Sequence, residues 1–250
     1  MPEDELVATI GPALDMRKSM SIWHIFPSWP TLDSVLGLLL DTPQFFSTFW
    51  NTTFQVFAQI LGQFIVGVPA AWALSKFHFP GRRLIRILYI VLMLFPFQVT
   101  MVPTYLSLKA LNLLDTIWAV ILPGAFSTFP VFIMIRGFGR VPKDLLDAAA
   151  IDGATNEQTF LFVGLPLGIP SILSALTLSF LEAWNAIEQP MTFLKSQNLW
   201  PLSLYLSNIS TENLGVSIVA SVMALLPSVL IFGIGKKYLE LGIQSGALKG

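Results

Sequence analysis

Five long stretches of this chain, 49–75, 87–106, 118–135, 160–181 and 216–234, contain no charged side chain. A helix needs about 20 mostly apolar residues to cross the hydrocarbon core of a bilayer. The five stretches therefore predict five membrane-spanning helices and an all-α integral membrane fold. A sixth apolar run, 35–40, is too short to span and is expected to be interfacial. The rest of the composition agrees. Charged residues make up 12% of the 250 residues, about half the roughly 25% typical of soluble domains.

Several chemistries are excluded early. There is no cysteine, and the two histidines, His24 and His78, stand far apart; neither a disulfide framework nor a metal-ligand cluster is indicated. A net charge of −1 gives no electrostatic support for nucleic-acid binding. The acidic N-terminus MPEDELVATIG lacks the basic start of a signal peptide. No Gly-x-x-x-x-Gly-Lys-Ser/Thr loop is present to cradle a nucleotide phosphate.

Orientation is read from lysine and arginine, which accumulate on the cytoplasmic side. Lys76, Arg82, Arg83 and Arg86 lie between the first two spans. Arg136, Arg140 and Lys143 follow the third, and Lys236, Lys237 and Lys249 follow the fifth. Only Arg17, Lys18, Lys109 and Lys195 remain for the other side. This predicts an extracytoplasmic N-terminal segment over 1–48, a membrane domain over 49–250 and a cytoplasmic C-terminus. Pro69, Pro96, Pro103, Pro123, Pro130, Pro166, Pro170 and Pro227 all fall inside spans. Each is compatible with ordinary kinking; together they predict helices that bend.

The cytoplasmic stretch between the third and fourth spans reads VPKDLLDAAAIDGATNEQTFLFVGLPLGIP. Pro142 suits the first position of a short helix, and Asp144 suits its first turn. Gly153 is placed to end that helix in the left-handed conformation. Thr155 and Gln158 are spaced as a capping box for the next helix. Ala148 and Ala149 would allow another surface to approach closely. Physics alone leaves two readings open, a knob for a partner or a loop helix packed on its own domain.

This stretch resembles the EAA loop of ABC-importer permeases: Glu-Ala-Ala, three residues, Gly, nine residues, Ile, one residue, Leu-Pro. Here Asp147-Ala148-Ala149, Gly153, Val163 and Leu165-Pro166 keep that spacing, with Asp147 and Val163 as conservative departures. Asn51-Thr52, PTYLSLKALNLLDTIWAVILP at 103–123, Trp184-Asn185 and the tail Gly246–Gly250 resemble the carbohydrate branch of the maltose and glycerol-phosphate type. Ala186 departs from the aspartate common in that branch.

The resemblance implies a type I importer transmembrane fold in a bacterial or archaeal inner membrane. It implies a homologous second permease, two ATP-binding subunits that use ATP and Mg, and an extracytoplasmic solute-binding protein. The chain would contact membrane lipid and bind no cofactor itself. The coupling loop would cover about 137–158, with Asp147, Ala148, Ala149, Gly153, Leu165 and Pro166 as ATPase-coupling residues. The tail over 244–250 would help to dock the ATPase pair, and the loop over 195–202 would meet the binding protein. Such permeases have six spans, so the first is expected to be missing here through a start assigned at an internal methionine. A natural five-span form is the alternative.

Spacing alone adds a polar stripe: Asn51, Gln55, Gln59 and Gln63 recur every four residues. On a 3.6-residue helix they drift by about 40° per step. The stripe must face protein or water, either as interhelical glue or as a lining of the solute path, with glue the favoured reading for most of the four. Asn185 at the outer end of the fourth span is a further candidate for the solute path or a helix contact; Glu182 and Glu188, which flank it, could meet substrate or binding protein, but solvated interfacial residues are the favoured reading. Gly164-x-x-x-Gly168 is a close-packing pattern. An ion-coupled carrier would need an ionisable residue inside the membrane, which the central parts of the spans lack. A scaffold without transport activity would give no reason for the fixed-spacing loop.

Overall fold

The computed structural model describes residues 43–208 and 214–247. All regular structure among them is helical. Four helical segments are long and apolar enough to cross a membrane: Gln44–Lys76, Trp118–Phe138, Asn156–Trp184 and Ser217–Glu240. A fifth is a bent pair, Arg82–Leu94 and Phe97–Ala110.

The first span consists of α1 (Pro43–Gly62), a π-helical turn (Gln63–Gly67) and α2 (Val68–Lys76). It begins ahead of the expected start at 49. Phe45 is already buried there, against Leu202, Val219 and Ala220, and the Thr48 hydroxyl donates to Gln44 O within the helix. Polar residues thus hid a packed turn from the hydropathy reading. The boundary expected at 48/49 falls within α1. Residues 1–42, with the expected interfacial run and the question of a missing first span, lie outside the described residues.

The second expected span, 87–106, is not one helix. It is α3 (Arg82–Leu94) followed by α4 (Phe97–Ala110), bent by 109°. Proline disfavours helical backbone in the residue before it. Phe95 accordingly turns extended (φ −74°, ψ 126°), and Pro96 becomes the N-cap of α4 at ψ 154°. The third span also divides, into α5 (Trp118–Ala125) and α6 (Thr128–Phe138), where Ser127 leaves helical backbone at ψ 136°.

After α7 (Lys143–Ile151) and the single turn α8 (Asn156–Thr159), a second π-helical turn (Phe160–Gly164) leads into α9 (Leu165–Trp184). The two π turns share one cause. Pro69 and Pro166 each stand second in the helix that follows. A proline ring clashes with the carbonyl four residues back, which here belongs to Ile65 and Phe162, inside the two widened turns. Short helices α10 (Glu188–Phe193) and α11 (Leu202–Ser207) follow. The last helix, α12 (Leu214–Ala247, 34 residues), continues through Pro227 and past the expected end at 234. At 1.5 Å per residue it is about 51 Å long, well beyond the roughly 30 Å hydrocarbon core.

The core forms where α2, α6 and α9 meet. Trp72, Met134, Phe138, Ile172 and Ala175 are buried together there. The ring of Phe138 meets Trp72 edge-on at 5.3 Å. The Gly164-x-x-x-Gly168 pattern is what admits these rings. A Cβ on Gly164 would stand 2.5 Å from the Trp72 indole, and one on Gly168 would stand 2.3 Å from the Phe138 ring. α9 also packs along α12, joined by the Ser174 hydroxyl to Tyr238 O and by Trp184 Nε1 to Ala224 O.

Candidate functional site

The Asp147–Gly153 segment forms a helix that stands off the membrane bundle at its basic end. α7 starts at Lys143, one position later than the sequence implied, with Pro142 as its N-cap (ψ 139°) and not its first helical residue. Its C-terminus is a Schellman motif. Gly153 N donates to Ala150 O at 3.1 Å, Ala154 N donates to Ala149 O at 2.9 Å, and Gly153 has φ +75°. The capping box follows as predicted: Gln158 N donates to the Thr155 hydroxyl at 3.2 Å, and Thr155 N donates to Gln158 Oε1 at 2.8 Å.

One face of α7 is tied to the core and the other is open. Leu146 packs on the cluster around Trp72 and Phe138, as do Val163 and Leu165 from the second half of the motif. The basic end adds a strap, for Lys76 Nζ donates to Val141 O at 2.8 Å. Arg82 donates through Nε to Leu74 O and through its terminal nitrogen to Ser75 O. These bonds satisfy carbonyls left open at the end of α2. Asp147 and Ala148 are exposed, Ala149 is half-buried and Pro166 is exposed. Leu145 and Ile151 are exposed apolar residues, Ile151 to 86%. A short helix anchored to the core on one side and bare and small-sided on the other can pass a push from a bound partner to the spans.

At the opposite end, the polar stripe divides into two pairs. Asn51 Nδ2 donates to Asn198 O at 2.6 Å, and Gln55 Nε2 donates to Leu199 O at 2.9 Å. Thr52, between them, accepts from Leu202 N at 2.6 Å. This half of the stripe holds the 198–202 loop against α1. Gln59 and Gln63 instead line a cavity of about 1100 Å³. Gln63 Nε2 donates to Ser127 O at 3.4 Å, at the break between α5 and α6.

That cavity opens between α4, α5, the break after Ala125, and the ends of α9 and α10. Thr100, Thr104 and Ser107 contribute hydroxyls, and Glu182, Asn185, Glu188 and Gln189 contribute polar groups at its rim. Asn185 Nδ2 donates to Leu181 O, closing α9. Gln98 Nε2 donates to the Glu188 carboxylate at 3.0 and 3.3 Å. Ala186, the departure from the branch pattern, offers its backbone carbonyl to the Ser203 hydroxyl.

Sequence reasoning missed Asp115. Its carboxylate accepts from Lys195 N and Ser196 N at 2.8 Å and from the Ser196 hydroxyl at 2.7 Å. Its own N–H donates to Phe193 O at 3.0 Å. Asp115 and Asn112 both adopt left-handed backbone (φ 57° and 56°), which Asn and Asp tolerate better than most residues. A lone aspartate in a loop gave no signal, because its partners lie eighty residues away.

The hydroxyl of Ser196, then the amides of Ser196 and Lys195, hold the Asp115 carboxyl below the usual carboxylate range. A depressed folded pKa places this contribution above the unfolded value of about 3.9. It is lost as pH falls through the folded value. Asp115→Ala is expected to raise hydrogen exchange at the Lys195 and Ser196 amides several-fold at neutral pH, because both amides lose their acceptor. Wild type should lose the same protection, measured relative to the intrinsic exchange rate at each pH, only in acid. Equal exchange at neutral pH would show that the clamp does not hold the loop.

Comparison with known proteins agrees with this geometry. Residues 63–243 match the family model described as binding-protein-dependent transport system inner membrane component. The arabinooligosaccharides transport system permease protein AraQ of Halalkalibacterium halodurans is 27% identical over 248 residues, 98% of this chain and 89% of that protein. Protein LplC of Bacillus subtilis is 30% identical, over 95% of this chain and 85% of its own length. The crystal structure of a bacterial ABC transporter involved in the import of the acidic polysaccharide alginate superposes with a TM-score of 0.72 at 26% identity, covering 80% of this chain and 77% of that one. With four apolar spans and a bent fifth, a basic end bearing the anchored helix α7, and a match over most of its length, this multi-pass membrane chain belongs to the family of binding-protein-dependent transport system inner membrane components.

Proposed function

We propose that this chain is the membrane-spanning permease subunit of an ATP-driven importer of oligosaccharides or related polyols, with α7 as the helix on which the ATPase acts. The observation that carries the reading is the arrangement of α7, core-anchored through Leu146 and bare at Asp147 and Ala148. Relatives with saccharide import in their names, AraQ and the diacetylchitobiose uptake permease DasC of Streptomyces coelicolor, support the substrate class.

In this reading the basic end is cytoplasmic and the C-terminus lies on that side. Closure of an ATP-binding pair pushes α7. The push passes through Leu146, Val163 and Leu165 to the α2–α6–α9 core and rocks the spans, switching access between the two faces. A homologous permease completes the path, and a solute-binding protein delivers substrate at the end bearing the 195–202 loop. ATP and Mg belong to the partner, since this chain has no phosphate-cradling loop.

The test is uptake by the reconstituted importer in vesicles. Uptake should continue with ion gradients collapsed and ATP supplied, and stop with ATP removed and gradients held. Uptake that follows the gradient instead would make the chain an ion-coupled carrier.

A further inference from the structure

The cavity at the end opposite α7 has an uneven chemistry. Its lining contains two carboxylates, Glu182 and Glu188, and no lysine, arginine or histidine. The other polar side chains are neutral, among them Gln59, Gln63, Asn185, Gln189 and the hydroxyls of Thr100 and Thr104. Two of the polar groups facing this space lack a protein partner among the described residues. Gln59 is 7% exposed and lines the cavity, and its amide makes no hydrogen bond to a described residue. The Ser179 hydroxyl, also in the lining, is buried and unpaired.

A hydroxyl buried without a partner, as at Ser179, costs free energy unless something polar satisfies it, and the Gln59 amide takes its partner from whatever fills the cavity. A passing saccharide would do so, because its hydroxyls both donate and accept, as an amide does. The carboxylates add a sign to this. Neutral hydroxyls donate to a carboxylate favourably, and so does a protonated amino group. A uronate carboxylate entering the same space meets like charge, and apolar walls strengthen that repulsion. The walls include Leu92, Phe95, Phe97, Leu122 and Phe126. The Gln98 amide donates to both oxygens of the Glu188 carboxylate and orients it.

Resting on the proposed function, we infer that this cavity is a charge filter: it passes neutral and amino-bearing saccharides and rejects uronate-bearing ones. The selection is made by Glu182 and Glu188, with Gln59 as the neutral hydrogen-bonding group.

The test measures binding to the purified permease–ATPase complex without its solute-binding protein, so that selection upstream is removed. The probes are neutral pentose and hexose trisaccharides, each with a uronate-terminated and an amino-terminated counterpart. At low ionic strength, neutral and amino-terminated probes should bind about tenfold more tightly than the uronates, as like charge from two carboxylates at an exposed rim implies, and added salt should narrow the gap. Glu182→Gln with Glu188→Gln should shrink that gap to about threefold or less. Glu182→Asp, which keeps the charge, should preserve it. Uronates that bind as well as neutral probes in wild type would overturn the filter while leaving the importer reading in place. A gap that survives removal of both carboxylates would do the same. No binding by any saccharide, in a complex that still hydrolyses ATP, would overturn the saccharide reading and the filter with it.

Discussion

Gly153→Val should abolish transport while leaving the membrane bundle assembled. A Cβ at Gly153 meets nothing within 4 Å, so the effect comes from the backbone and not from crowding. At φ +75° a β-branched side chain is strained, by about 1–3 kcal/mol. The chain relieves that strain by abandoning the left-handed turn. The bonds from Gly153 N to Ala150 O and from Ala154 N to Ala149 O then go, and with them the angle at which α7 meets Val163 and Leu165. A Cβ at Gly153 would meet no core residue, so the damage stays in the loop: the chain should still insert, with a stability loss of no more than about 1–3 kcal/mol, while ATP-driven uptake falls at least about tenfold. Gly153→Asn, which tolerates left-handed backbone, should retain most of the uptake, with Gly153→Ala between the two. Wild-type uptake by the valine variant would show that the turn does not transmit the push.

Gly168→Leu should have the opposite signature, with stability lost first. The Cβ would stand 2.3 Å from the Phe138 ring, and Phe138 is wholly buried in the α2–α6–α9 core, where it cannot swing aside. Overpacking a filled core costs about 1–3 kcal/mol, occasionally more. Thermal unfolding in detergent should show that loss. Gly233→Ala provides the comparison: its Cβ would meet nothing within 4 Å, and alanine is the better helix former by about 1 kcal/mol, so its melting temperature should hold or rise. Phe138→Ala in the Gly168→Leu chain should recover part of the loss, because the two side chains compete for one space. A Gly168→Leu chain that melts with wild type would mean that α6 and α9 do not pack closely there.

The sequence was legible where local chemistry decides. Four spans, the Schellman glycine, the Thr155–Gln158 box and the Gly164–Gly168 contact all follow from spacing within one or two turns. It was less legible where tertiary context decides. Pro96 and Pro103 look alike in an apolar run, yet the chain bends at Phe95–Pro96 and α4 continues through Pro103. The four-residue stripe was visible, but not its division into Asn51 and Gln55, which hold the 198–202 loop, and Gln59 and Gln63, which line the cavity. That division depends on backbone carbonyls some 150 positions away. Of the tail expected to dock the ATPase pair, 244–250, residues 248–250 lie outside the described residues.

If this chain is the permease of an ATP-driven importer, α7 is the surface that meets the ATPase. The chain contains no cysteine, so Ala148→Cys creates a unique thiol on the exposed face of that helix. The decisive measurement is crosslinking from this position, in membranes, to a single cysteine in the coupling cleft of the ATPase subunit, with and without ATP. A covalent permease–ATPase adduct whose yield changes with nucleotide is the predicted result. No adduct from Ala148→Cys, in an assembled complex that still imports its substrate, would contradict it.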